Sequence, residues 1–123
     1  VGDGNQTRDF TYVSDIANAL VIAGREGKTG EIYNIGSGET VSINKIVKLL
    51  HGKSVHIPKR PGEPDCTYAD ITKITSETSW RPNVKIEDGI KTMVDNIDYW
   101  KDAPVWDVAS ISNATKSWFK YMS

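Results

Sequence analysis

The stretch Gly2-Asp3-Gly4-Asn5-Gln6-Thr7-Arg8-Asp9-Phe10-Thr11-Tyr12-Val13-Ser14-Asp15 joins a glycine-rich turn, a short apolar run and a polar helix start. Its spacing predicts a strand over 10–13. Ser14 and Asp15 then open a helix with Ile16, Ala19, Leu20 and Ala23 three and four apart, and Gly24 and Gly27 close it. The rest of the chain continues the alternation. Residues 31–35 read as a strand broken by Gly36-Ser37-Gly38, and Ser42 reads as the N-cap of a helix carrying Ile43, Ile46, Val47 and Leu50 until Gly52 stops it. Another short strand is expected over 54–57. Asp70 suits the cap of a helix over 71–78, ended by Trp80-Arg81-Pro82. The clearest periodicity runs over 86–100, where Ile86, Ile90, Met93, Val94, Ile97 and Trp100 form one stripe. A last amphipathic segment covers about 110–121. Helices and strands interleave, so the fold class is α/β, with too few strands for a complete nucleotide-binding sheet.

Composition bounds the functions open to such a fold. The chain has 123 residues, 38% apolar and 25% charged, which fits one globular domain. Fifteen basic against 16 acidic residues leave a net charge of −1, unlike a nucleic-acid-binding module. No apolar run reaches the roughly 18 residues of a membrane span. Cys66 is the single cysteine and reads as a buried bystander, with nothing pointing to an oxidising compartment. The chain opens on Val1 with neither Met nor signal-peptide character, which suggests upstream sequence.

Familiar catalytic groupings do not assemble. His51 and His56 lack further ligands at zinc spacing, so no metal site is expected. Gly2-Asp3-Gly4 and Gly36-Ser37-Gly38 begin a dinucleotide fingerprint, but Thr7 and Val41 stand where its third glycine belongs. Two of the four arginines do sit in constrained backbone. Arg8 follows the glycine turn, and Arg60 lies in 58–65, which holds three of the five prolines. A guanidinium fork matches phosphate oxygens, and a stiff loop limits the entropy lost on binding. Arg8 and Arg60, if brought together, could clamp a diphosphate, with Glu63 accepting hydrogen bonds from ribose hydroxyls. The alternative is a pair of ordinary ion pairs, Arg8 with Asp9 and Arg60 with Glu63.

Four motifs in order carry a resemblance. The 2–15 stretch resembles the G-D-G-x-Q-x-R-D-F-x-Y-V-x-D segment of extended short-chain dehydrogenase/reductases acting on nucleotide sugars. Ile32-Tyr33-Asn34-Ile35-Gly36-Ser37-Gly38, Arg60-Pro61-Gly62-Glu63, and Tyr68-Ala69-Asp70-Ile71-Thr72-Lys73 with Trp80-Arg81-Pro82 resemble its later motifs. The similarity runs from residue 1 to about 100 and is greatest to the UDP-glucose 4-epimerase branch. The resemblance implies a small mixed α/β C-terminal domain, 1–123, that binds substrate and lacks the N-terminal Rossmann domain. It implies Arg8 and Arg60 on the UDP-sugar diphosphate, Glu63 on the uridine ribose, Asn34 at the substrate, and Thr67 as a size gate that leaves room for acetamido sugars. The family's reaction inverts the 4-hydroxyl through a 4-keto sugar, using NAD held by the other domain, so no cofactor is expected on this chain. The catalytic Tyr-x-x-x-Lys pair is missing: Ile16, Ser37, Thr72 and Ala103 stand four residues after the first four tyrosines. No catalytic residue is therefore expected here, and the chain alone should be inactive. The substrate part of a dTDP-glucose 4,6-dehydratase or UDP-glucuronate decarboxylase, or a non-catalytic nucleotide-sugar-binding module, are the other readings. Expected partners are a UDP-sugar, the Rossmann domain and a second copy of the chain, through homodimer formation or self-association. No nucleic-acid or membrane partner is expected, and the cytoplasm is the expected location. Elements shaped to pack on an absent domain should leave apolar surface bare or rearrange the first 40 residues.

Overall fold

The structure, a computed structural model, describes residues 1–122. In chain order its elements are β1 (Thr7–Arg8), α1 (Val13–Glu26), β2 (Val41–Ser42), α2 (Ile43–Leu49), β3 (Cys66–Thr67), α3 (Thr72–Glu77) and α4 (Ile86–Asp95). A 3₁₀ turn, Ile97–Trp100, and α5 (Val108–Met122) follow. The class is mixed α/β, as the alternation predicts. The sheet is a small three-stranded one in the order β2-β1-β3. β1 runs antiparallel to β2, with Arg8 opposite Val41, and parallel to β3, with Arg8 opposite Thr67.

The strands are not where periodicity puts them. Residues 10–12 have no ladder pairing, and α1 begins at Val13 after an extended Tyr12. The runs 31–35 and 54–57 also lack ladder pairing among the described residues. Their apolar alternation has another cause. Tyr33 and Ile35 pack against the core, while Ile32 before them is 82% exposed and Asn34 between them is exposed too. One-sided burial produces period-two alternation with or without a neighbouring strand. Residue 57 instead accepts a single bond, from the Gly2 amide to the Ile57 carbonyl at 2.8 Å. Cys66, expected to be buried, is exposed, because no element covers either residue of β3.

The core is Ala19, Ile74 and Trp80, all fully buried, ringed by Ile22, Tyr33, Ile35 and Ile71. The Trp80 indole N–H donates to the Asp15 carbonyl at 3.1 Å, satisfying a polar edge that burial would otherwise penalise. The buried Asp15 carboxylate accepts the amides of Asn83 and Val84, each at 2.9 Å. One residue near the start of α1 therefore fixes the chain that follows α3. The other end of α1 is tied similarly. Glu26 accepts the Ser79 hydroxyl and amide, each at 2.7 Å, and these bonds hold its carboxyl below the ordinary value. The Tyr33 hydroxyl donates to Glu77 at 2.8 Å and, with Lys28, lowers that carboxyl too.

Helix α2 follows its local signals closely. Ser42 Oγ accepts the Lys45 amide at 3.2 Å as the N-cap. Its C-terminus differs from the expected glycine stop. His51, at φ +52°, takes the left-handed position, and the bonds His51 N to Lys48 O and Gly52 N to Val47 O complete a Schellman closure. A left-handed residue with a Cβ costs about 1–2 kcal/mol. His51→Gly should therefore stabilise the protein by about 1 kcal/mol, read as a higher urea midpoint at unchanged m-value. A lower midpoint would contradict the strain argument.

The long stripe expected over 86–100 breaks at Asp95. There Asn96 leaves helical geometry and its side-chain amide donates to the Thr92 carbonyl at 2.8 Å. Only Gly89 and Ile90 of α4 are buried, while Met93, Val94, Ile97 and Trp100 are 43–58% exposed. Val13, Leu20 and Val21 of α1 are bare as well. Among the described residues no helix is long and apolar enough to cross a membrane.

Candidate functional site

The site forms around the loop 58–65. Its ends are tied by the Gly2 N to Ile57 O bond and by Thr7 N to Asp65 O, each 2.8 Å. At its apex the Glu63 amide donates to the Arg60 carbonyl at 3.3 Å. Pro61 and Gly62 are the central pair, and Gly62 has φ +72°. Proline first and a positive-φ glycine second are the requirements of a type II turn. The turn sends the side chains of Arg60 and Glu63 toward each other, with Arg60 Nε 3.9 Å from Glu63 Oε2.

β1 brings in the second arginine. Arg8 Nη2 lies 3.4 Å from Glu63 Oε1, and Nη1 donates to the Thr7 carbonyl at 2.8 Å. Glu63 thus stands between two guanidiniums separated by 52 residues of chain (60 minus 8). All three side chains are only 20–26% exposed. The trio carries a net positive charge with one carboxylate for two cations. Arg60 Nε and Glu63 Oε2 are buried and lack hydrogen-bond partners among the described residues. The unmet Arg60 Nε donor beside surplus positive charge suits a polyoxygen anion, and the unmet Glu63 oxygen suits a hydroxyl donor. Lys59, next in the loop, is neutralised by Asp65.

A cleft of about 390 Å³ opens on the Glu63 side, walled by Gly2, Asp3, Gln6, Lys59 and Asp65. Asn5 donates its amide at 2.9 Å and its side-chain nitrogen at 2.8 Å to Asp3, which keeps the Asp3 carboxyl below its ordinary value. The walls of this cleft are rich in acceptors, which suits a hydroxyl-bearing ligand, whereas Arg60 lines two neighbouring clefts together with Val108 and Ile111. Thr67 is exposed on β3 directly across from Arg8. Asn34 is exposed in the 31–36 segment and makes no hydrogen bond or ion pair to Arg8, Arg60 or Glu63.

One glycine of each pair, Gly4 and Gly36, is required by packing. A Cβ at Gly4 would collide with the Asn44 side chain, and one at Gly36 with the Asp9 carboxylate and Ala69 Cβ. Asp9 accepts the Ser37 amide and hydroxyl, each at 2.7 Å, and the Ala69 amide at 3.3 Å. Asp9 does not pair with Arg8 but welds β1 to two loops. Thr7 and Val41 stand where a dinucleotide fingerprint has its third glycine, so neither turn completes that fingerprint. Among the described residues no three His, Cys, Asp or Glu side chains gather as metal ligands would.

Two arginines across one carboxylate can hold an anion and leave an acceptor beside it. Comparison with known proteins adds the lineage. A family model described as GDP-mannose 4,6 dehydratase matches residues 1–93. The chain belongs to that family, within the extended short-chain dehydrogenase/reductases. It is 34% identical to a dTDP-glucose 4,6-dehydratase from Shigella flexneri, covering 97% of this chain and 36% of that protein. The UDP-glucose 4-epimerase of Thermotoga maritima, solved with UDP-glucose, is similar with TM-score 0.73 and 33% identity over 80% of this chain and 33% of that one. The UDP-glucuronic acid 4-epimerase of Bacillus cereus, solved with UDP-glucuronic acid and NAD, gives TM-score 0.70 and 39% identity, covering 80% and 34%. The chain spans about a third of the length of the curated relatives it matches.

Proposed function

We propose that this chain is the substrate-binding C-terminal region of an NAD-dependent nucleotide-sugar 4-epimerase of the UDP-glucose type. The observation that carries the reading is the convergence of Arg8 and Arg60 on Glu63. In it the two guanidiniums hold the diphosphate, and Glu63 turns from counter-ion to acceptor for the ribose hydroxyls. Thr67 and Asn34 serve the sugar end. Arg8 and Arg60 bind and orient, which is the positioning contribution to catalysis. The proton and hydride chemistry belongs to the Rossmann domain, where NAD, once bound, supplies the redox step. The likeness to epimerases solved with UDP-sugars supports the substrate class. A second reading, the dTDP-glucose 4,6-dehydratase, is favoured by the 97% coverage of the Shigella relative.

The test is to assay the full-length protein with NAD on UDP-glucose, UDP-glucuronate and dTDP-glucose. The proposal expects interconversion of UDP-glucose with its 4-epimer and no turnover by the 1–123 chain alone. Loss of water from dTDP-glucose would replace it with the dehydratase reading. Release of carbon dioxide from UDP-glucuronate would replace it with the decarboxylase.

A further inference from the structure

The geometry points to Trp118 as a positioning residue that holds the Arg60 guanidinium in place for a diphosphate; the inference rests on the diphosphate reading of the site. The helix that carries Trp118 lies outside the stretch matched by the family model, which ends at residue 93.

Three contacts from the end of α5 meet the 60–62 turn. The Arg60 guanidinium carbon lies 5.5 Å from the centroid of the Trp118 ring, within cation–π range. The Trp118 indole N–H donates to the Pro61 carbonyl at 2.8 Å. Met122, one helical turn beyond, reaches Gly62, where an added Cβ would stand 3.2 Å from its Cε. The turn's internal bond uses the Arg60 carbonyl and the Glu63 amide, which leaves the Pro61 carbonyl free for an outside donor. Trp118 is that donor.

Arg60 needs such help more than Arg8 does. Arg8 is braced by the Thr7 carbonyl as well as by Glu63. Arg60 has Glu63 only at 3.9 Å, and its buried Nε has no hydrogen-bond partner among the described residues. The indole face therefore supplies a restraint on its plane that the 3.9 Å ion pair does not. A ring face attracts the cation without occupying its N–H donors, which leaves them for phosphate oxygens. Pre-orientation of this kind raises affinity by lowering the ordering cost of binding.

The experiment titrates UDP into the 1–123 chain and into Trp118→Leu and Trp118→Phe, and records ¹⁵N relaxation at Arg60 Nε without ligand. Trp118→Leu should weaken UDP about tenfold and mobilise Arg60 Nε. Trp118→Phe keeps the ring face and should lose about threefold, and this variant decides if the leucine one unfolds. In an Arg60→Ala background neither change should weaken UDP further. Unchanged UDP affinity in Trp118→Leu, or an equal loss with and without Arg60, would overturn the role. If the parent chain does not bind UDP, the diphosphate reading fails instead. The relaxation data then judge the restraint separately, and Arg60 Nε equally ordered in both variants and the parent would overturn it.

Discussion

Trp80→Ala is expected to lower the unfolding free energy by about 3–5 kcal/mol and to leave much of the chain unfolded at 37 °C. Trp80 is one of three fully buried residues in the core cluster, and the largest fully buried side chain among the described residues. Removing it leaves a cavity among Ala19, Ile74 and their neighbours. It also deprives the Asp15 carbonyl of its indole donor. Small domains have total stabilities of about 5–15 kcal/mol, so a loss of this size consumes most of the margin. Urea unfolding followed by far-ultraviolet circular dichroism measures it. A loss under about 1 kcal/mol would mean that this cluster is not the centre of the fold.

Arg60→Ala should weaken UDP binding by about 10- to 100-fold while moving the unfolding midpoint little. Charge-assisted hydrogen bonds are worth about 1.5–3 kcal/mol each, and Arg60 has a partly exposed side chain that no core packing depends on. Arg60→Lys should recover only part of the loss, because an ammonium cannot present the planar fork. Isothermal titration of each variant checks this. Equal affinity in the parent and Arg60→Ala would remove Arg60 from the site.

Local signals in the sequence predicted local structure well. Ser42 capping α2 and the amphipathic stripe starting at Ile86 need only neighbours in the chain, and both are present in the fold. The strands at 10–13, 31–35 and 54–57 were misplaced because short apolar alternation reports a half-buried face. A ladder needs a partner strand, whose position depends on distant chain. The meeting of Arg8 with Arg60 was suggested by the constrained backbone around each, whereas the place of Glu63 between them was not. Its geometry became visible only when β1 paired with β3. Asp9 and Asp15 looked like a surface ion-pair candidate and a helix start. Each organises backbone amides well separated in sequence, a role that residue type alone does not disclose. The contact of Trp118 with the Pro61 carbonyl spans 57 residues and had no local trace.

The account turns on phosphate oxygens being what Arg8 and Arg60 grip. Calorimetric titration of the 1–123 chain with UDP and, separately, with uridine measures that directly. UDP should bind at least about tenfold more tightly than uridine, with an affinity that falls as salt is raised. Equal affinities for the two, or no binding of UDP at any salt concentration, would contradict it.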